Sequence, residues 1–154
     1  MATNDFLQKA VGTWKGEGKL HQSWVKETPT QSGPSGLHVD LDESKAFATV
    51  TYWWTYDGKK QEAVASIICD EKRKKVFMGW VDAWHMNYDV MRLVGELEKD
   101  RVSGFGNYYV GEGEKDWGWR ITLEMAEMKL ILKMDNVTPD GESEWAWEGT
   151  YGRE

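Results

Sequence analysis

Cysteine occurs once in these 154 residues, and proline and histidine three times each. The lone Cys69 excludes an internal disulfide and fits a reducing compartment. No apolar run approaches the roughly 20 residues that a membrane-spanning helix needs. The opening MATNDFLQKAV lacks the basic and then apolar layout of a secretory signal. A cytoplasmic protein without membrane attachment is therefore expected. Positive charge is also short: the formal net charge is −7, which argues against nucleic acid or anionic lipid as the partner. No stretch is rich enough in Pro, Gly or Ser to act as a linker, so one domain over residues 1–154 is expected.

What the chain has in excess is aromatic surface. Ten tryptophans, six tyrosines and four phenylalanines imply a dense core, a lined cavity or an exposed stacking platform. With 40% hydrophobic and 29% charged residues, the composition is that of a globular chain able to bury such groups.

Residues 4–11 form the best helix candidate, with Asp5 as the cap, Gln8 three positions on, and Phe6, Leu7 and Ala10 on one side. From Gly12 onward the period is two. In GTWKGEGKLHQSW, Trp14, Gly16, Gly18 and Leu20 alternate with Lys15, Glu17, Lys19 and His21, as in a strand with one wet face. KAFATVTYWWTY and QEAVASIIC flank Asp57-Gly58, a strong hairpin signal. The alternation runs on to the last segment, SEWAWEGTYGR, giving about nine or ten strands joined by short turns. Sequential antiparallel strands with no exposed edge close on themselves. The expected fold is all-β: a single antiparallel up-and-down β-barrel with a short N-terminal helix. Gly16 and Gly18 then mark a sharply bent first strand against which neighbours press closely, and Gly104 and Gly106 repeat the device. A phosphate-cradling role for GTWKGEG is excluded, because no helix follows it.

The stretch GTWKGEG behind a short helix resembles the G-x-W-x-G-x-G signature of nitrobindin-like proteins and, more broadly, the lipocalin and fatty-acid-binding (calycin) group. With Tyr56-Asp57, Gly79-Trp80-Val81-Asp82 and Tyr151-Gly152-Arg153, the whole chain also resembles a family of small bacterial proteins of unknown function with a calycin-like fold. The resemblance implies that Trp14 plugs the closed end of the barrel and meets Arg153 in a structural cation–π pair. Nitrobindins hold haem through a histidine near the C-terminus. SEWAWEGTYGRE contains none, which speaks against haem, and no cofactor is expected.

Candidate site residues follow from strand parity. Trp80, Asp82 and Trp84 share a face with Val76 and Met78 behind them, and Trp117/Trp119 and Trp145/Trp147 are W-x-W pairs. The functional reading is an indole-lined lumen holding a flat or apolar ligand; the alternative is a lumen filled with bulky side chains. The lining residues named on this basis are Trp80, Trp84, Tyr88 and Arg92, with Trp54 and Tyr56 from an adjacent strand. Arg92 has an otherwise apolar face and is preferred over Arg120 as a clamp for a ligand carboxylate, against the reading of a solvated outer charge. His38, Asp40 and Asp42 stand on one face, but strand spacing keeps them too far apart for one metal ion. Asp82 and His85 are three apart, which fits an acid–base pair and equally fits chance spacing. No nucleophile motif accompanies the histidines, and Cys69 lies in an apolar run. The expected function is non-enzymatic binding of a small hydrophobic or aromatic molecule by a monomer or homodimer. Its rivals are a haem enzyme of the nitrobindin type and a carbohydrate- or protein-interaction module presenting exposed tryptophans.

Overall fold

The computed structural model describes residues 4–154. Among the described residues the one helix is α1 (Asp5–Ala10). Ten strands follow: β1 (Gly12–His21), β2 (Thr30–Leu41), β3 (Ala48–Tyr56), β4 (Lys59–Asp70), β5 (Lys75–Asp82), β6 (Met86–Glu96), β7 (Arg101–Tyr108), β8 (Trp117–Ala126), β9 (Lys129–Val137) and β10 (Ser143–Arg153). Each pairs antiparallel with its sequence neighbours, and β1 pairs with β10, so the meander closes into an up-and-down barrel.

Turn chemistry sets the registers. Asp57 and Gly58 both have positive φ, at 50° and 73°, the two left-handed positions of a type I′ hairpin turn, and they pair Tyr56 with Lys59. Glu127 and Met128 adopt the same geometry between β8 and β9, with φ of 51° and 67°, although neither residue favours it.

The first strand explains its glycines by contact. A Cβ on Gly16 would lie 1.8 Å from the Thr150 carbonyl oxygen, and one on Gly18 would lie 2.6 Å from Cζ2 of Trp147. The β1–β10 crossing therefore needs bare backbone at both positions.

α1 covers one end of the barrel with Phe6, Leu7 and Ala10 buried. Its N-cap is Asn4 rather than Asp5: Asn4 Oδ1 accepts the Leu7 N–H at 2.9 Å, and Asp5 becomes the acidic residue of the first turn. Trp14 lies beneath the helix, and its indole N–H donates to the Ala10 carbonyl at 2.8 Å. The Arg153 guanidinium sits 4.2 Å from the Trp14 ring and donates to the Val11 and Lys9 carbonyls, both at 2.7 Å. Those carbonyls are orphaned at the helix end, so one side chain closes the helix and the plug together.

Above the plug, inward residues such as Val50, Ile67, Met78, Leu123 and Leu132 fill the lumen around a void of about 10 Å³. That space is at most one water. The opposite half of the barrel is built differently.

Candidate functional site

β5 runs inward through Val76, Met78, Trp80 and Asp82, then turns at Ala83-Trp84-His85 into β6. Asp82 holds this turn. Its Oδ1 accepts the backbone N–H groups of Trp84 at 2.8 Å and His85 at 2.9 Å. Its Oδ2 accepts the Tyr52 hydroxyl at 2.7 Å and lies 3.4 Å from His85 Nδ1. The Tyr52 oxygen in turn accepts the Trp80 indole N–H at 3.0 Å. Asp82 is 1% exposed. Burial alone would raise its carboxyl pKa, but the His85 side chain and backbone and the Tyr52 hydroxyl together hold it below the ordinary value. Burial and then the Asp82 charge push the Tyr52 hydroxyl well above its ordinary value.

His85 rests in a nest of indoles. Ring centroids lie at 4.7 Å to Trp84, 5.1 Å to Trp54, 5.3 Å to Trp119 and 6.3 Å to Trp80. Its side chain is 7% exposed, and Nε2 is buried without a hydrogen-bond partner. The indole N–H groups of Trp54, Trp119 and Trp147 are likewise buried and unpaired. Leaving a buried donor or acceptor unsatisfied costs about 1–3 kcal/mol, so such atoms in one cluster call for a reason.

Beside this nest opens a cavity of about 380 Å³. Its inner wall includes Trp80, Trp84, His85, Met91 and Trp119; farther out stand Tyr108 and Asn136, whose side chains are joined by a hydrogen bond. Trp145 stacks on His21 at 4.5 Å, and Trp24, 69% exposed, completes the mouth. Both His21 nitrogens are engaged, Nε2 with Glu144 at 3.2 Å and Nδ1 with Thr30 at 3.2 Å. Among the described residues no lysine or arginine lines the cavity.

Of the residues named from sequence, Trp80 and Trp84 stand in the cavity wall. Trp54 and Tyr56 form the layer behind Trp84, at 5.6 and 5.2 Å between ring centroids. Tyr88 and Arg92 are corrected to the outer surface: Tyr88 is 57% exposed, and Arg92 lies over the Phe77 ring at 5.2 Å. The cause is an irregularity in β6. Asp82 pairs with Met86 and Trp80 with Met91, so residues 87–90 stand opposite Val81 alone, a surplus of three on that strand, and Met91 and Leu93 face inward instead. A second bulge, between Trp145 and Trp147, splits that W-x-W pair: Trp147 is buried and Trp145 goes to the rim.

His85, Trp119, Tyr108 and Asn136 were not named as lining residues. Trp119 was visible as half of a W-x-W pair, and His85 by its spacing from Asp82. Nothing local marks Tyr108 or Asn136.

His38 Nδ1 meets the Thr13 hydroxyl at 2.9 Å, and Asp42 is spent on its own turn, accepting the Phe47 N–H at 2.9 Å. Among the described residues no three His, Cys, Asp or Glu side chains group as a metal site. The nitrobindin resemblance implies a haem-holding histidine near the C-terminus, and β10 has no histidine. The buried side chains of β10 are Trp147 and Tyr151, and the Tyr151 hydroxyl is tied to Ser35 at 2.8 Å. His85 lies among indoles, with the Trp54 and Trp119 ring centroids 5.1 and 5.3 Å from its own.

Among solved structures, the chain is similar to Rv2717c from M. tuberculosis, with a TM-score of 0.67 at 12% sequence identity, covering 100% of this chain and 99% of that one. At that identity the likeness speaks for the fold, an all-β closed barrel with a short N-terminal helix. No curated protein matches the sequence. Residues 2–153 match the family described as "Protein of unknown function (DUF1579)", and the chain belongs to that family.

Proposed function

We propose that this protein is a binding protein for a small, flat, largely apolar molecule, held in the half of the barrel opposite α1. The observation that carries the reading is the 380 Å³ cavity walled by Trp80, Trp84 and Trp119, with the buried and unpartnered His85 Nε2 beside it. Ligand pockets of this kind are concave, mainly apolar and equipped with a few convergent polar groups. The volume suits a molecule of about two or three fused rings. The calycin-like architecture is consistent with a lumen of this use, and among the described residues no hydroxyl or thiol is hydrogen-bonded to His85 to act as a nucleophile. An exposed stacking platform has less support, because of the ten indoles only Trp24 and Trp145 are exposed.

Native mass spectrometry of the purified protein, with organic extraction of whatever is retained, tests the reading. A defined extra mass from an apolar or aromatic compound supports it, as does saturable uptake of the neutral dye Nile red by a ligand-free sample. A ligand-free mass together with no dye uptake overturns it. A haem mass would hand the site to the nitrobindin-type rival.

A further inference from the structure

We infer that the ligand carries a neutral aromatic hydroxyl, a phenol-type head, that donates its hydrogen to His85 Nε2 and accepts from the Trp119 indole N–H. The inference rests on the reading of the cavity as a ligand site and adds the chemical class of what enters it.

The starting point is which His85 nitrogen holds the hydrogen. Both Asp82 oxygens are acceptors already engaged by Tyr52 and two backbone N–H groups, and a carboxylate has no hydrogen to give. The Nδ1 atom facing Oδ2 at 3.4 Å is therefore the protonated one, and in the neutral ring Nε2 offers a lone pair. Among the described residues no donor reaches that lone pair. The three unpaired indole N–H groups nearby leave it unsatisfied as well.

Charge narrows the class further. Among the described residues the cavity wall holds no lysine or arginine, Asp82 carries a negative charge behind His85, and Glu144 stands at the mouth. An anionic carboxylate head would be desolvated there against like charge and without a cation. A neutral head avoids both costs. Trp119 supplies the second half of the recognition: its N–H is unpaired, and its ring centroid is 5.3 Å from that of His85. A hydroxyl is the smallest group that donates to one of these atoms while accepting from the other. The flat indoles on either side favour an aromatic carrier for it.

Calorimetric titration of the wild-type protein with 2-naphthol, 2-methoxynaphthalene, naphthalene and 2-naphthoate tests this. The methyl ether keeps the oxygen acceptor and loses the donor, and naphthalene controls for the bulk of the methyl group. We expect 2-naphthol to bind about tenfold more tightly than either, and 2-naphthoate more weakly than all three. In His85→Phe the advantage of naphthol over its ether should fall to about onefold. Equal affinities for naphthol, ether and naphthalene would overturn the hydroxyl inference and leave the binding function standing. So would tightest binding of the naphthoate. Binding of none of the four would overturn both.

Discussion

Replacing Asp82 by asparagine keeps the shape of the side chain and removes its charge, so it separates what the carboxylate does from what it fills. Asp82 accepts hydrogen bonds at 2.7, 2.8 and 2.9 Å and a longer contact from His85 at 3.4 Å. An amide oxygen can still serve the Trp84 and His85 backbone N–H groups, but as a neutral acceptor, at a loss of about 0.5–1 kcal/mol each. Its NH2 group then faces the Tyr52 hydroxyl, which already accepts from Trp80. Turning that hydroxyl around leaves its own hydrogen in an apolar wall, costing about 1–3 kcal/mol. The sum is a destabilisation of about 2–5 kcal/mol, or about 4–20 °C in Tm for a domain of this size.

Urea unfolding followed by tryptophan emission reads this directly, with a lower midpoint and an unchanged m-value. The pH dependence adds a second check. Because the folded-state pKa of Asp82 is depressed, its contribution is present above the unfolded value of about 3.9 and is lost as pH falls through the folded value. The gap between wild type and D82N should therefore hold from neutral pH down to about pH 5 and close below about pH 4. A D82N protein within about 0.5 kcal/mol of wild type at pH 7 would refute this account of the turn. The same variant also frees His85 to carry its hydrogen on Nε2, so it should erase the preference for naphthol over its methyl ether.

Gly18→Ala drives a methyl group to 2.6 Å from the buried Trp147 ring and should cost about 1–3 kcal/mol; a thermal melt unchanged within 1 °C would contradict the close approach. Arg153→Lys keeps the charge but cannot reach the Val11 and Lys9 carbonyls together, and should lower stability by about 1–2 kcal/mol in urea unfolding. Glu127→Asn with Met128→Gly installs residues suited to the left-handed positions of an exposed turn, and should raise Tm by about 2–4 °C, where a decrease would refute the strain.

The closed meander was legible because it is written locally. Asp57-Gly58 dictates one hairpin, and the alternation of Trp14, Gly18 and Leu20 with charged residues dictates which face of β1 is buried. The wall of the cavity was legible only where parity is unbroken, as along Val76, Met78, Trp80 and Asp82. In β6 both faces carry apolar side chains. Met91 and Leu93 point in, while Val90 and Val94 flank Arg92, so a period of two cannot choose between them. The outward bulge over residues 87–90, with its surplus of three, then reverses the parity that a count from Trp84 would give. The weight of His85 was hidden for another reason. Its spacing from Asp82 is visible, but its role depends on Tyr52, thirty residues upstream of Asp82, and on Trp119 from across the barrel.

The two halves of the lumen follow from the shapes of the side chains that each half received. Branched and flexible residues interdigitate above the plug and leave almost no void, whereas rigid indoles around one imidazole cannot close the space beside them. A barrel needing only to be filled gains nothing from a buried carboxylate, which leucine-like neighbours replace at no cost when the partners go as well. Nor does it gain from an imidazole nitrogen with no partner. His85→Phe therefore separates structure from function. Phenylalanine preserves the ring packing, removes the orphaned Nε2 and sacrifices only the long 3.4 Å contact to Asp82, whose other three bonds remain. Its stability should equal or exceed that of wild type by up to about 1 kcal/mol while hydroxyl selectivity disappears, the pattern of a site whose polar groups serve the ligand rather than the fold. A loss above about 2 kcal/mol in urea unfolding would instead make His85 a structural element of the turn and remove the reason for placing a ligand against it.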